Sequence, residues 1–169
     1  MQRITGRLHL PQARHPTGGT AALDSPGPAG LQALDAAAPA VRAESNGLRV
    51  LLVEDSPLHV QRIFELVAEL PGVRIAGTAT SEAEAMACLE TAGIDAVILD
   101  LQLRAGSGFG ILRSLHRHVP APPVVVFTNF AIPAYRDTAL ALGASHFLDK
   151  SRDYDQLLAV LQDWSGAVH

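Results

Sequence analysis

The sequence predicts an α/β fold, a doubly wound sheet of five parallel strands with five helices. Three observations predict it. Five short runs, most of them apolar and β-branched, recur from Leu48 onward. The segments between them carry apolar residues at helical spacing, and cap-forming residues fall at the junctions. Strands that are apolar throughout are those buried on both faces, as in a parallel sheet. Five βα units within about 120 residues then require helices on both sides of it.

Taken in order, the strands are LRVLLV (48–53), VRIAGTA (73–79), DAVIL (95–99), PVVVFT (123–128) and SHFLD (145–149). The first helix follows from Val60, Ile63, Phe64 and Val67. The third follows from Phe109, Leu112, Leu115 and Val119, and the last from Tyr154, Leu157, Leu158, Leu161 and Trp164. Ser56 suits an N-cap with Pro57 at the first helical position, and Ser81 with Glu84 forms a capping box. Gly93 and Gly143 sit where helix C-termini need a residue at positive φ.

Ahead of this pattern, residues 1–47 are rich in Ala, Gly and Pro, with Pro11, Pro16, Pro26, Pro28 and Pro39 breaking any long element. They are expected to be a disordered arm, with one short helix-compatible piece at 30–38. Residues 48–166 form the folded domain. A net charge of -4 leaves no basic footprint for a nucleic-acid backbone. The single cysteine, Cys88, excludes an internal disulfide and any multi-thiol metal site. Neither a membrane-spanning run nor a secretory leader is present, so a cytoplasmic location is expected.

The chemistry gathers at strand ends. In doubly wound sheets, functional groups collect outside the carboxyl ends of the strands, where the winding reverses. Glu54 and Asp55 close the first strand, Asp100 the third and Thr128 the fourth, while Lys150 follows the fifth. With strand order 2-1-3-4-5, Glu54, Asp55 and Asp100 face one another. Lys150 is the one lysine among thirteen basic residues, which points to a task suited to a compact ammonium. Carboxylates about 4 Å apart repel by roughly 4 kcal/mol at an effective dielectric near 20. A cation must therefore be present. Mg²⁺ suits an all-oxygen site and leaves positions for phosphate oxygens, beside which one carboxylate can act as nucleophile and form an acyl phosphate.

These residues, in this order on these strand ends, resemble the receiver domain of bacterial two-component response regulators, over about Leu48 to Trp164. The resemblance implies the flavodoxin-like 2-1-3-4-5 sheet. It makes Glu54 and Asp55 the acidic pair that binds Mg²⁺, Asp100 the phosphoacceptor, and Gln102 the donor of a backbone carbonyl to the metal. Thr128 matches the switch hydroxyl, Lys150 the phosphate-contacting lysine, and Phe147 the aromatic that swings inward on activation. Implied partners are a sensor histidine kinase or a histidine phosphotransfer protein, a downstream target protein, and a second copy through the face of the fourth helix, fifth strand and fifth helix. Direct nucleic-acid binding and membrane insertion are not implied. The activity is that of an aspartyl-phosphate signalling protein in a phosphorelay, with only self-catalysed phosphoryl transfer and hydrolysis. Nineteen residues follow Lys150, which suggests a single-domain regulator without an output module.

Two stretches depart from the family pattern. Ser151 stands where a proline is usual after the lysine, and Asn129 and Phe130 follow Thr128. Gln102 and Phe130 occupy the positions that tune attack of water on the acyl phosphate. A bulky Phe130 is expected to shield the phosphoryl group and prolong its life. Among other residues, Cys88 reads as a small buried hydrophobe, Gly106–Gly108 as a turn into the third helix, and His59 as a surface or helix-packing residue. The alternative function is a receiver-fold interaction module that works without phosphorylation. A flavin carrier is disfavoured because EDSP, where a phosphate-cradling loop would lie, meets an anion with two carboxylates.

Overall fold

The computed structural model describes residues 47–118 and 120–167. Of the arm expected over residues 1–47, all but Gly47 lies outside them, including its helix-compatible piece, as does Val119 of the third helical stripe. The elements are β1 (Leu48–Val53), α1 (Pro57–Ala68), β2 (Val73–Ala79), α2 (Glu82–Thr91) and β3 (Ala96–Leu99). They continue as α3 (Gly108–His116), β4 (Val124–Thr128), α4 (Pro133–Ala141), β5 (His146–Asp149) and α5 (Tyr154–Ala167). All neighbouring strands are parallel, in the order β2-β1-β3-β4-β5. The winding therefore reverses between β1 and β3.

Side chains alternate across the sheet and divide the core in two. Leu51, Val53, Val97, Leu99 and Val126 pack with Ala85 of α2, Ile111, Leu112 and Leu115 of α3, and Ala139 of α4. Val50, Leu52, Ile98, Val125 and Phe127 pack on the other face with Ile63 and Val67 of α1 and Leu157 and Leu161 of α5. Burial of each large aliphatic side chain contributes about 1.5–3 kcal/mol, which holds five helices to a thin sheet. On α1 the buried stripe is narrower than its sequence spacing suggests, because Phe64 remains 43% exposed. Beside β1, the edge strand β2 carries a bulge: Val50 pairs with Ile75 and Leu51 with Gly77, leaving Ala76 over.

The caps follow sequence in position more than in detail. Ser56 is the N-cap of α1 and Pro57 its first residue, yet the serine side chain makes no cap bond. Its amide instead donates to the Glu54 carboxylate at 3.1 Å. Ser81 does accept from the Glu84 amide, at 3.3 Å, but the Glu84 carboxylate reaches one residue further back, to the amide and hydroxyl of Thr80. Gly93 and Gly143 adopt φ of 55° and 93°, as their C-terminal positions require.

β3, β4 and β5 each begin one residue later than the apolar runs suggested. Asp95 is displaced from the ladder by a clamp. Its carboxylate accepts from the amide, Nε and Nη2 of Arg49 at 2.9, 2.9 and 3.1 Å, while its own amide donates to the Arg49 carbonyl. The Arg49 hydrogen bond holds the Asp95 carboxyl below its ordinary range. Such stability is present above the unfolded carboxyl pKa, near ~3.9, and is lost as pH falls through the depressed folded value. Because the pair is partly exposed, Asp95→Asn is expected to cost only about 1 kcal/mol at neutral pH. Urea unfolding of both proteins from about pH 2.5 to about pH 7 checks it: the gap should close on the acid side.

Candidate functional site

Register places the site. Val53 of β1 pairs with Leu99 of β3, so the next residues, Glu54 and Asp100, leave the sheet side by side. Thr128, the last residue of β4, pairs with Asp149, and Lys150 follows immediately. Glu54, Asp100, Thr128 and Lys150 are all buried, at 2%, 8%, 0% and 4% exposure, although each is polar or charged. Buried charges persist only when paired and hydrogen-bonded.

The pairing is made by Lys150. Its Nζ donates to Glu54 Oε2 at 2.5 Å and to Asp100 Oδ2 at 2.6 Å, bridging two carboxylates that otherwise repel. The remaining oxygens are also used. Glu54 Oε1 accepts from the Ser56 amide and lies 3.4 Å from His59 Nδ1, while Asp100 Oδ1 accepts from the Gln102 amide at 3.2 Å. The third acid, Asp55, meets Arg104, whose Nε is 3.5 Å from Oδ2 and whose Nη2 donates to the Asp55 carbonyl at 3.4 Å. Among the described residues, no group of three acids, histidines or cysteines converges as a metal cage.

Thr128 and Phe147 stand behind this cluster. The Thr128 hydroxyl accepts from the Phe130 amide at 3.3 Å. Phe147 is buried in the core face that includes Ala139 and Ala144. Phe130 keeps 44% exposure. Ser151, in the place of the usual proline, fixes the next loop by another route: its amide and hydroxyl both donate to Asp149 Oδ1, at 2.8 and 2.7 Å. Those bonds hold the Asp149 carboxyl below its ordinary range.

The loop between β3 and α3 is held at both ends. Gly108 approaches the Asp100 carbonyl so closely that a Cβ there has no room. Ser107 caps α3 by accepting from the Gly110 amide, and its own amide donates to Glu82 Oε2 at 3.1 Å. Gly106, at φ 79°, and Gly110 leave the space that the Glu82 side chain fills. The turn read at Gly106–Gly108 is thus a cradle whose anion is a carboxylate from α2, set at the positive end of α3. His59, Arg104 and Glu82 were not assigned site roles from sequence. His59 and Arg104 carried a signal, being basic residues four places after Asp55 and Asp100. Glu82 carried none, since its contact spans 25 residues.

The molecule is thus of the class of doubly wound α/β domains, with a buried lysine bridging two carboxylates at the carboxyl ends of its strands. The family model of the response regulator receiver domain matches residues 50–162, and the chain belongs to that family. A protein-glutamate methylesterase/protein-glutamine glutaminase of Treponema denticola is 34% identical over 105 residues, covering 61% of this chain and 28% of that protein. The transcriptional activator DevR/DosR of Mycobacterium tuberculosis is 28% identical, covering 69% of this chain and 54% of the activator. The chain thus spans less than two thirds of these relatives, and the match to the methylesterase is confined to under a third of it. Among solved structures, a LuxR-family response regulator from Aurantimonas sp. SI85-9A1 superposes with a TM-score of 0.66 at 25% identity, over 72% of this chain and 86% of that one. The Mn²⁺-bound response regulator Rcp1 shares the fold, with a TM-score of 0.59 at 24% identity, over 69% and 90% of the two chains.

Two stability experiments follow. Lys150→Met leaves two buried carboxylates without their shared cation and is expected to cost about 3 kcal/mol in urea unfolding. Adding Asp100→Asn should recover part of that loss, whereas Asp100→Asn alone should cost under about 1 kcal/mol. Gly110→Ala should destabilise by roughly 1 kcal/mol because its methyl displaces the Glu82 carboxylate. In a Glu82→Ala background the same substitution should stabilise, by up to about 1 kcal/mol, through helix propensity alone.

Proposed function

We propose that the chain is a phospho-switch that accepts a phosphoryl group on Asp100. The observation that carries this reading is the buried carboxylate of Asp100, held 2.6 Å from Lys150 at the end of β3. An Asp100 oxygen attacks phosphorus, the bond to the donor's leaving group breaks, and the group leaves with its electron pair. Lys150 can follow the charge from the carboxylates to the phosphoryl oxygens without leaving the site. The donor would be a phosphohistidine on a sensor kinase or phosphotransfer protein, encountered in the cytoplasm.

Mg²⁺ fits the donor set by chemistry: the carboxylates of Glu54, Asp55 and Asp100 and the Gln102 carbonyl are hard oxygen ligands. Bound there, it would offset charge on the phosphoryl oxygens. The Mn²⁺ held by one fold relative is in keeping with this assignment. This chain's own residues then make the switch. Thr128 turns its hydroxyl toward the phosphoryl group, and Phe147 secures the space behind it. The readout lies beside Phe147, on a groove of about 640 Å³ whose walls include Arg136, Leu140, His146 and Arg152. A target protein or a second copy would dock on this face of α4, β5 and α5. Onward transfer to a histidine is the other outlet for the same phosphoaspartate.

Intact-protein mass after incubation with Mg²⁺ and acetyl phosphate tests the reading. A gain of one phosphoryl group, absent from Asp100→Asn and reduced at least about tenfold in Lys150→Met, is the expected result. No gain under conditions that label a known receiver overturns it in favour of the interaction module that works without phosphorylation.

A further inference from the structure

We propose that Arg104 is a positioning residue that guards Asp55 in the resting site and turns to the incoming phosphoryl anion once a divalent cation claims that carboxylate. The proposal rests on the reading of Asp55 as a metal ligand and Asp100 as the phosphoacceptor.

Arg104 combines a fixed base with a free arm. The next residue, Ala105, is held by an isolated bridge to Ser81 and accepts from the Glu82 amide at 3.1 Å. Three residues on, Ser107 is anchored to Glu82, and Gly108 is pressed against the Asp100 carbonyl. The backbone that carries Arg104 is therefore referenced to the phosphoacceptor itself. Its side chain, by contrast, is 75% exposed. Two long contacts, at 3.5 and 3.4 Å, connect the guanidinium to the side chain and backbone of Asp55. Such a solvated pair is weak and is exchanged readily for a better partner.

Charge explains why an exchange would serve the reaction. Three carboxylates, Lys150 and Arg104 sum to -1. Lys150 is buried and engaged on both Glu54 and Asp100, so the remaining acid, Asp55, is held from the solvent side by Arg104. A divalent cation arriving at Asp55 must displace that guanidinium. The displaced arm stays near the mouth of the site, where an anionic phosphodonor enters. A guanidinium presents several N–H donors to phosphate oxygens in a fixed fork, which suits this second position.

The two roles predict effects of opposite sign. Removing the guard should tighten cation binding, while removing the anion contact should slow labelling. Mn²⁺ binding to the full chain, followed by the electron paramagnetic resonance signal of free Mn²⁺, reads the first. Arg104→Ala should bind Mn²⁺ about two- to fivefold more tightly at low salt, with the difference shrinking as ionic strength rises. Arg104→Lys should stay near the parent value. Initial labelling by acetyl phosphate at saturating Mg²⁺ reads the second, and Arg104→Ala should be several-fold slower. A merely structural role would not move the two readouts in opposite directions. Equal or weaker Mn²⁺ binding by Arg104→Ala, or labelling as fast as the parent, overturns the proposal while leaving the phosphoacceptor reading intact. A parent chain that neither binds Mn²⁺ nor becomes labelled overturns both.

Discussion

The bridge from Lys150 to Glu54 and Asp100 is the constraint on which the remainder of the site depends. It joins the ends of β5, β1 and β3 through one buried ammonium, across 96 and 50 residues of sequence. Burying these charges costs several kcal/mol per ion, and close geometry with further hydrogen bonds must return it. Those further bonds are present in the Ser56 and Gln102 amides. Each side of the bridge consequently fixes a neighbouring loop. Glu54 shapes the entry to α1, and Asp100 shapes the first residues after β3.

Around that bridge, a second layer fixes the loop that carries Gln102 and Arg104. Glu82 enters from α2 and satisfies the Ser107 amide at the start of α3, while Gly106 and Gly110 keep its path open. A carboxylate here performs the service that a phosphate performs at glycine-rich helix starts elsewhere: it meets free N–H groups and the positive end of the helix dipole. The same constraint leaves the Arg104 side chain exposed above an anchored backbone. Order below and freedom above are what an exchange between Asp55 and an anion would need.

Membership of the receiver family accounts for the sheet, the strand-end acids and the lysine, and it reaches no further. The methylesterase relative is matched over 28% of its length, so its name speaks for a longer protein of which this fold is one part. Within the described residues, no helix is long and apolar enough to cross a membrane. The groove beside Phe147 is where a change behind Thr128 would emerge at the surface, because Phe147 belongs both to the core under α4 and to the groove wall.

The sequence by itself determined the five strands, their parallel pairing and the polar residues at their ends. Apolar runs and helical stripes are local patterns, and burial on two faces leaves a run such as AVIL little choice but a central strand. β1 matches its apolar run end to end for that reason, and the part-buried edge strand β2 also keeps its expected bounds, while Asp95 falls outside β3 because its clamp to Arg49 is a contact between strands. Tertiary structure alone decided how the charges pair. Sequence placed Glu54, Asp55, Asp100 and Lys150 at one edge of the sheet and required positive charge among the three acids. The structure pairs Lys150 with Glu54 and Asp100 and Arg104 with Asp55, each at distances set by strand register and loop path. Coulomb energy varies with separation and burial, and neither is written in residue order. The same reason hid Glu82 and the His59 contact with Glu54, whose partners become neighbours only after the sheet and helices have closed around them.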